Sequence, residues 1–237
     1  MIEYTNEDCM TGMARYPDKY FDLAIVDPPY AGVTQGGYMK NQSSGGVAKH
    51  RKYNINLWSQ KRPPKEYFEE LKRVSKNQII WGGNYFMGSI CKDSQCWVVW
   101  NKHMNGNFAD CELAYTSFDT ATKMFDFVWN GMMQENMKNK EIRQHPTQKP
   151  VALYKWLLKN YAKQGDKILD THVGSASSLI ACHDMGFDAV GFELDADYFA
   201  ASTRRLEQFM RQPKLIEMTT DQPEQQTLFG GGYEGTS

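Results

Sequence analysis

The chain has 237 residues, a hydrophobic fraction of 41% and a formal net charge of −1 at pH 7. This length and composition suit one large domain with a proper core, or one domain with a small insertion. The balanced charge excludes an attraction to nucleic acid or to membranes through net charge alone.

The first half of the chain alternates between strand and helix patterns. Phe21 to Val26 (FDLAIV) is a short apolar run of strand-forming residues, typical of a buried parallel strand. Residues 63–76 (PPKEYFEELKRVSK) begin with prolines, which a helix tolerates at its start, and carry one apolar stripe. Further strands are predicted at 2–4, 78–81, 96–100 and 112–118, and one or two helical turns at 9–15.

The second half continues this alternation after a stretch at 119–145 that we expect to be irregular. Residues 150–163 form a predicted helix that again begins with proline. The remaining pattern predicts strands at 167–170 and 188–193 and helices at 175–185 and 196–210. Strands that alternate with helices predict an α/β fold with a mostly parallel sheet.

Composition divides the chain into a predicted domain at 1–211 and a polar, flexible tail at 212–237. Within the domain, residues 31–62 are rich in glycine and form a loop of about thirty residues, a length that is usually functional in a compact domain. Residues 40–76 contain ten Lys or Arg against three Glu, which makes this region locally basic. The chain from residue 217 onward has four acidic residues and no Lys or Arg.

The stretch Asp27-Pro28-Pro29-Tyr30 directly follows a predicted buried strand. An acid at the end of such a strand is costly unless something uses it, and the prolines give up backbone donors. This combination indicates a functional turn rather than a structural one.

A second motif, KILDTHVGSAS at 167–177, leads from a strand through Gly174 into a helix. Glu193 follows nineteen residues after Gly174, where an acid in a βαβ unit can accept hydrogen bonds from ribose hydroxyls. There is no G-x-G-x-x-G and no P-loop sequence, so a diphosphate or triphosphate has no cradle. S-adenosylmethionine, a nucleoside without phosphate, fits this pattern, although an ordinary strand–helix turn that binds nothing also does.

Both motifs lie at the carboxyl ends of predicted parallel strands. Ligands in open α/β sheets bind beside such ends, where the strand order reverses. If these two strands flank the reversal, the cofactor and Asp27 share one crevice.

Four stretches in this order resemble the β class of amino-group DNA methyltransferases, the group that includes restriction-modification enzymes. They are DPPY at 27–30, HPTQKP at 145–150, DTHVGSAS at 170–177 and GFELDADYF at 191–199. The resemblance covers roughly residues 1–205. It implies a Rossmann-like sheet of seven strands, the last one antiparallel, with helices on both faces and S-adenosylmethionine as cofactor.

The resemblance also assigns roles to individual residues. In the catalytic turn, the Asp27 carboxylate and the Pro28 carbonyl polarise the amine, Pro29 stiffens the turn, and Tyr30 stacks on a flipped base. The cofactor is expected to contact Asp8, Cys9, Thr147, Lys149, Asp170, His172, Gly174, Ser175, Glu193 and Leu194. The chain departs from the family at Thr171-His172, where Pro-Phe is common, and His172 is expected to stack in place of the Phe.

Double-stranded DNA is the expected partner. Lys49, Arg51 and Lys52 of the basic loop are placed to hold its phosphates, and residues 102–144 are the expected target-recognition segment. That segment is short, so a short recognition site or a homodimer is possible. In the tail, Gln225, Leu228 and Phe229 resemble the Gln-x-x-Leu-Phe peptide that docks on the bacterial sliding clamp.

Adenine is the expected target because family members whose motif begins with Asp mostly act on adenine. Three alternatives remain open: methylation of the cytosine amine, methylation of RNA or of a protein amide, and a non-catalytic DNA- or clamp-binding protein that kept the fold. Whether the enzyme is restriction-linked, and which sequence it recognises, are also open.

The five cysteines are scattered and lack the paired spacing of a zinc site, so we expect free thiols and no metal. No signal pattern and no apolar run of ~18 residues is found. The expected location is therefore the cytoplasm of a bacterial or phage-infected cell, without membrane association.

Overall fold

We describe the chain from a computed structural model. It describes residues 1–30, 62–90, 93–103, 109–130, 133–143 and 147–212. Within these ranges, no helix is long and apolar enough to cross a bilayer.

A central sheet of eight strands forms the frame of the domain. In chain order its strands are β1 (Ile2–Asn6), β2 (Phe21–Val26), β3 (Ser75–Trp81), β4 (Trp97–Asn101), β5 (Cys111–Thr116), β6 (Lys123–Asp126), β9 (Lys167–Asp170) and β10 (Asp188–Glu193). A separate hairpin pairs β7 (Trp129–Asn130) with β8 (Met133–Gln134). The spatial order in the sheet is β1-β10-β9-β2-β3-β5-β4-β6.

The sheet is mostly parallel, as the sequence predicts, but it has eight strands rather than seven. β5 runs antiparallel to both its neighbours, β3 and β4, and is followed along the chain by parallel strands. The resemblance implied that the last strand is antiparallel, but the antiparallel strand is β5, and other strands follow it along the chain. The eighth strand is β6, and together with the hairpin it corrects the expectation that residues 119–145 are irregular.

Six helices connect these strands in the described parts of the chain. They are α1 (Cys9–Met13), α2 (Lys65–Val74), α3 (Met87–Ile90), α4 (Val151–Tyr161), α5 (Ser177–Met185) and α6 (Ala196–Met210). Residues of α1, α2 and α3 pack in one core cluster and residues of α4, α5 and α6 in another. Helices thus cover both faces of the sheet, as predicted.

The alternation of side chains along β2 shows why two cores form. Leu23 and Ile25 belong to the cluster of α4 to α6, whereas Ala24 and Val26 belong to the cluster of α1 to α3. A strand that is apolar on both faces must be covered on both sides, because successive side chains point to opposite faces. The continuous apolar run of β2 therefore places it at the centre of the sheet.

Local signals in the sequence determine where several helices begin. Pro64 and Pro150 occupy the N-cap positions of α2 and α4 in extended conformation, where proline loses no helical hydrogen bond. The carboxylates of Asp8 and Asp195 cap α1 and α6 by accepting hydrogen bonds from backbone N–H groups. These caps stabilise the two helices that begin beside the expected cofactor site.

The strand order reverses between β9 and β2, which are direct parallel neighbours with Ala24 opposite Leu169. From this point β10 and β1 extend the sheet to one side and β3 extends it to the other. The expected adjacency of the two motifs is confirmed, because Asp27 and the turn after Asp170 emerge side by side. Ligand sites in open α/β sheets form at such a reversal.

Candidate active site

Asp27 lies just after β2, and its two carboxylate oxygens have different partners. The ammonium of Lys149 hydrogen bonds Oδ2, while the Tyr30 hydroxyl donates to Oδ1 at 3.2 Å. Burial raises the pKa of Asp27, and the Lys149 ammonium opposes that shift. The carboxylate is therefore held in place at one oxygen and only weakly engaged at the other.

Lys149 is almost completely buried and also pairs with Glu112 of β5, at 3.3 Å from its Oε2. The second oxygen of Glu112 accepts a hydrogen bond from Lys102 at 2.6 Å. Burial lowers the pKa of Lys149, but the carboxylates of Asp27 and Glu112 outweigh it and hold that pKa above its ordinary value. The charges of these two lysines and two acids balance, and Lys149 is buried while the other three side chains are half-buried.

Aromatic rings surround the cluster. The Lys149 ammonium lies 5.3 Å from the ring centroid of Trp81, and the Lys102 ammonium lies 5.4 Å from that of Trp100. A cation over the face of an indole is attracted by the ring quadrupole. Both tryptophans belong to the hydrophobic core.

Tyr30 packs into an aromatic corner beside the turn. Its ring stacks on Tyr85 with centroids 5.1 Å apart and planes inclined by 15°, and it meets the edge of Phe86. On Gly82, a Cβ atom would lie 2.5 Å from the Tyr30 ring. Gly82 also has a φ of +65°, which residues with a side chain rarely adopt. Both the close contact with Tyr30 and the backbone conformation therefore require glycine at this position.

We expect Gly82→Ala to lower the free energy of unfolding by about 1–3 kcal/mol and to reduce methyl transfer, because the new methyl group displaces the Tyr30 ring. Thermal or urea unfolding and a methyl-transfer assay measure the two effects. The matched control is Gly88→Ala, since a Cβ at Gly88 has nothing within 4 Å. Equal behaviour of the two variants would contradict the close packing of Tyr30.

Asp170, at the end of β9, shapes the neighbouring turn. It accepts hydrogen bonds from the His172 N–H at 3.0 Å and from the Ser178 hydroxyl at the start of α5. Burial raises the pKa of Asp170 to about 7 despite these hydrogen bonds, and the charge of Asp27 contributes to the rise. The two acids are therefore close enough to interact.

The glycine turn and Glu193 form one unit. The backbone N–H of Gly174 donates to one Glu193 carboxylate oxygen at 2.8 Å, and the N–H of Asp195 donates to the other at 2.9 Å. Gly174 and Ala176 have φ values of +55° and +62°, which turn the backbone sharply into α5. Glu193 is buried, and burial raises its pKa.

Arg205 of α6 supports the same turn from outside. Its guanidinium donates to the Ser175 carbonyl at 2.6 Å, to the Ser177 hydroxyl at 2.9 Å and to Glu141 at 2.7 Å. Glu141 in turn accepts a hydrogen bond from the N–H of Val151 at the start of α4. The turn is thereby connected to the segment that carries Lys149.

His172 is fixed by a short chain of hydrogen bonds. The Tyr67 hydroxyl and the Thr171 hydroxyl are 2.7 Å apart, and Thr171 is 2.9 Å from His172 Nδ1. The Tyr67 ring also meets the imidazole edge-to-face at 5.4 Å. Because burial lowers the pKa of His172 to about 4, the ring is neutral at pH 7.

Just after the ends of β1 and β10 lie three residues that are expected to contact the cofactor: Asp8, Cys9 and Leu194. Asp8 caps α1 through one carboxylate oxygen, and burial raises the pKa of the adjacent Cys9 thiol to about 12. The Asn6 side chain donates to the carbonyls of Glu193 and Leu194. Leu194 is 56% exposed, so its side chain is accessible to a ligand.

Some of the other predicted site residues lie in the part of the chain that the structure describes, and the rest lie outside it. Pro28 and Ser175 are buried and Thr147 is exposed. The Lys149 ammonium lies against Asp27, and its expected contact with the cofactor stays a prediction. The residues expected to hold DNA or the clamp lie outside the described part of the chain: Lys49, Arg51, Lys52, Gln225, Leu228 and Phe229.

Sequence reasoning missed Glu112 and Tyr85. Glu112 is the one charged residue of β5, CELAYT, and a charge within a mostly apolar strand was a usable signal. Tyr85 follows Gly82-Gly83 after β3, but nothing in its local sequence distinguishes it from a core aromatic residue.

In the described ranges, no group of three or more His, Cys, Asp or Glu residues is arranged to hold a metal ion. The charged groups at the site are the side chains described above.

Residues 48–204 match a family model described as DNA methylase, which covers N6 and N4 amino-methyltransferases. This is more than half of the chain, and the chain belongs to that family. The expectation of an S-adenosylmethionine-dependent, amino-group DNA methyltransferase is confirmed at this level.

Individual relatives agree with the family assignment. Type II methyltransferase M.HinfI of Haemophilus influenzae is 24% identical over 89% of this chain and 70% of its own length. The fold matches the M1.HpyAVI–SAM complex with a TM-score of 0.54 at 19% identity, covering 86% of this chain and all of that one. It matches the cytosine-N4-specific PvuII DNA methyltransferase with a TM-score of 0.57 at 12% identity, covering 91% and 88%.

Proposed function

We propose that the protein transfers a methyl group from S-adenosylmethionine to the exocyclic N6 amine of adenine in double-stranded DNA. The observation that carries this proposal is the Asp27 turn, which lies beside the Gly174–Glu193 unit at the strand-order reversal. The carboxylate that would polarise the amine and the turn that would hold the methyl donor thus share one edge of the sheet.

The residues of the turn suit S-adenosylmethionine. The Glu193 carboxylate accepts hydrogen bonds from the backbone N–H groups of Gly174 and Asp195, and its two oxygens offer about four acceptor sites, so it can also accept from a ribose hydroxyl. The acids at Asp8, Asp170 and Glu193 favour a cationic ligand without phosphates, and the neutral His172 adds no opposing charge. When bound, the cofactor supplies a methyl group on a positively charged sulfur.

Asp27 and Pro28 would activate the acceptor amine. The lone pair of an exocyclic amine is delocalised into the base, so the amine is a poor nucleophile until its two N–H bonds are held by acceptors. Asp27 Oδ1 is the oxygen for one N–H, because Lys149 occupies Oδ2 and the Tyr30 hydroxyl at 3.2 Å is a weak competitor. The Pro28 carbonyl would accept the other.

The proton balance also involves Asp27. The nitrogen lone pair forms the bond to the methyl carbon as the carbon–sulfur bond breaks, which leaves a surplus proton on nitrogen. Asp27 Oδ1 already accepts that N–H in the proposed arrangement and is placed to take the proton. Burial raises the pKa of Asp27, which makes it a better acceptor than an exposed carboxylate.

The target base reaches this site only after it leaves the helical stack. Tyr30 and Tyr85 form an aromatic wall beside Asp27 on which a flipped base can stack. Holding the base against this wall aligns the amine for in-line transfer, and positioning is the main contribution expected from the protein.

Adenine is proposed over cytosine because the motif at 27–30 begins with Asp, and members of the family whose motif begins with Asp mostly act on adenine. The alternative is the cytosine N4 amine, for which the PvuII DNA methyltransferase of similar fold is specific. Incubating plasmid DNA with labelled S-adenosylmethionine, followed by nucleoside digestion and mass spectrometry, separates N6-methyladenine from N4-methylcytosine. Methylation-sensitive long-read sequencing then gives the recognition site.

The same assay tests the remaining alternatives. RNA or protein methylation would appear as label in those substrates and not in DNA. A non-catalytic binding protein would shift DNA in a gel without incorporating label. Either result would overturn the proposal.

DNA contact is proposed for the basic loop at 31–62 and for part of residues 102–144. Strands β5 and β6 of the latter segment belong to the central sheet, so it is not an insertion throughout. Base reading is therefore proposed for the rest of it, including the β7–β8 hairpin, where the Met133 and Met137 side chains are exposed.

Docking of the tail on a sliding clamp stays a prediction from the sequence. We expect a peptide of residues 219–237 to bind a bacterial clamp in a fluorescence titration through Leu228 and Phe229. Replacing both residues with Ala should abolish binding. A clamp that binds neither peptide, or both equally, would leave the tail without this partner.

A further inference from the structure

We propose that Glu112 and Lys149 are positioning residues that together hold Asp27 as an oriented carboxylate, with Oδ1 directed to the amine. This inference rests on the proposed function, because it concerns the residue that would activate the target base. It assigns Lys149 to the acceptor side of the reaction rather than to the cofactor.

The arrangement brings three distant parts of the chain together. Asp27 follows β2, Glu112 lies on β5, and Lys149 precedes α4. The buried Lys149 ammonium is shared between Asp27 Oδ2 and Glu112 Oε2. Glu112 is itself anchored by Lys102, so the lysine has a fixed counter-ion on the side away from Asp27.

Two polar atoms in this cluster are enclosed without a hydrogen bond to the described residues. They are the indole N–H of Trp81 and the Oε2 atom of Glu112, which faces Lys149 as an ion-pair partner. The low-dielectric surroundings of Trp81 strengthen each charge interaction within reach. The loss of one charge in this cluster should therefore change the ionisation of Asp27.

The groups that influence Asp27 come from every element packed around it. They are Tyr30 after β2, Glu112 on β5, Lys149 before α4, Tyr154 on α4, Asp170 on β9 and Tyr67 on α2. Lys149 is the cation among these six, and Glu112 and Asp170 are the other acids. Lys149 and Glu112 should therefore shift the ionisation of Asp27 in opposite directions.

The charges give the sign of each expected effect. Removing the Lys149 cation leaves Asp27 without its counter-ion and near the negative charge of Glu112, so protonation of Asp27 becomes easier. Removing the Glu112 charge leaves Lys149 to pair with Asp27 alone, so protonation becomes harder. A protonated Asp27 is a poorer acceptor for the amine, so the rate should fall at low pH. The pH at which this fall occurs, the acid limb of the pH–rate profile, should follow these shifts.

The test is a pH profile of single-turnover methyl transfer, measured between about pH 5 and 9 with the full chain, labelled S-adenosylmethionine and plasmid DNA. We expect Lys149→Met to move the acid limb upward by about one pH unit or more, and Glu112→Gln to move it downward. Lys149→Arg keeps the cation and should leave the limb near its original pH. The affinity for S-adenosylmethionine, measured by calorimetry, should change less than about threefold in all three variants.

Lys155→Met is the matched control, because Lys155 on α4 also pairs with an acid, Asp184, and is not among the groups that influence Asp27. Its limb should not move. If Lys149→Met does not fold, the downward shift in Glu112→Gln still tests the proposal by itself.

The outcomes separate this inference from the proposed function. A wild-type protein that methylates no DNA would overturn the proposed function. An active wild type in which neither Lys149→Met nor Glu112→Gln shifts the limb would overturn only the positioning role. A large loss of S-adenosylmethionine affinity in Lys149→Met, with an unmoved limb, would return Lys149 to the cofactor side.

Discussion

Asp27→Ala is expected to reduce methyl transfer by about 10³-fold, which corresponds to about 4 kcal/mol of transition-state stabilisation. The variant loses the acceptor that polarises the amine and keeps the Pro28 carbonyl. Single-turnover incorporation of labelled methyl groups into DNA measures the loss. Affinity for S-adenosylmethionine should stay within about threefold of wild type, because Glu193 and its turn are untouched.

The fold should survive Asp27→Ala because Lys149 keeps one of its two carboxylate partners. Lys149 remains beside Glu112, so its ammonium is not left without a counter-ion. Asp27→Asn is a useful companion, since it keeps an acceptor oxygen but removes the charge. We expect Asp27→Asn to retain more activity than Asp27→Ala. Its rate should no longer fall at low pH through protonation of residue 27.

Asp22→Ala is the matched control for loss of a carboxylate from the same strand. Asp22 lies near the start of β2, where it binds Lys76 at 2.6 Å and the N–H of Lys167 at 2.9 Å. This is the end of the strand away from Asp27, so methyl transfer should be retained. Near-normal turnover in Asp27→Ala would remove Asp27 from the mechanism.

Much of the fold was predictable because local patterns and the tertiary structure agree. The run FDLAIV predicts a strand buried on both faces, and β2 lies at the centre of the sheet. Prolines at 64 and 150 mark the starts of α2 and α4. Both motifs were expected at the carboxyl ends of parallel strands, and ligand sites form where the strand order reverses. The structure has this reversal between β9 and β2, the two strands that carry the motifs.

The eighth strand was missed because its own sequence carries little signal. β6 is only four residues long, KMFD, and buries Phe125 while Met124 is 57% exposed. Its parallel partner is β4, more than twenty residues earlier. Pairing over that distance is decided by the packing of the sheet and not by local preference.

The charge cluster was beyond sequence reasoning for a similar reason. Glu112 is opposite Trp100 in the β4–β5 ladder, and this register turns it toward the end of β2. Lys149 reaches the same place from a segment 37 residues further along the chain. The motif TQKP suggested a role for Lys149, but only the fold shows that its ammonium contacts Asp27.

His172 illustrates a prediction that the structure refines. The sequence marked Thr171-His172 as a departure from the resembling class, and a stacking role for His172 stays a prediction. The structure adds the hydrogen-bonded chain from Tyr67 through Thr171, which fixes the orientation of the imidazole. Tyr67 lies more than a hundred residues earlier, so no local pattern could connect it with His172.

Glu193→Ala is expected to weaken S-adenosylmethionine binding by one to two orders of magnitude, or roughly 1.5–3 kcal/mol. The variant loses a charge-assisted hydrogen bond to the ribose and also the two backbone contacts at Gly174 and Asp195. Isothermal titration calorimetry measures the dissociation constant directly. Single-turnover methyl transfer at saturating cofactor should fall much less than in Asp27→Ala.

Two further variants separate the ribose contact from support of the turn. Glu193→Gln keeps the size of the side chain, but its NH₂ group faces one of the two backbone N–H donors, so the turn is partly disturbed. Glu207→Ala, on the exposed side of α6 where Glu207 pairs with Arg211, removes a carboxylate without touching the turn and should bind cofactor normally. If Glu193→Ala binds S-adenosylmethionine as tightly as Glu207→Ala does, the acid at the end of β10 serves only to hold Gly174, and the ribose must be bound by other residues.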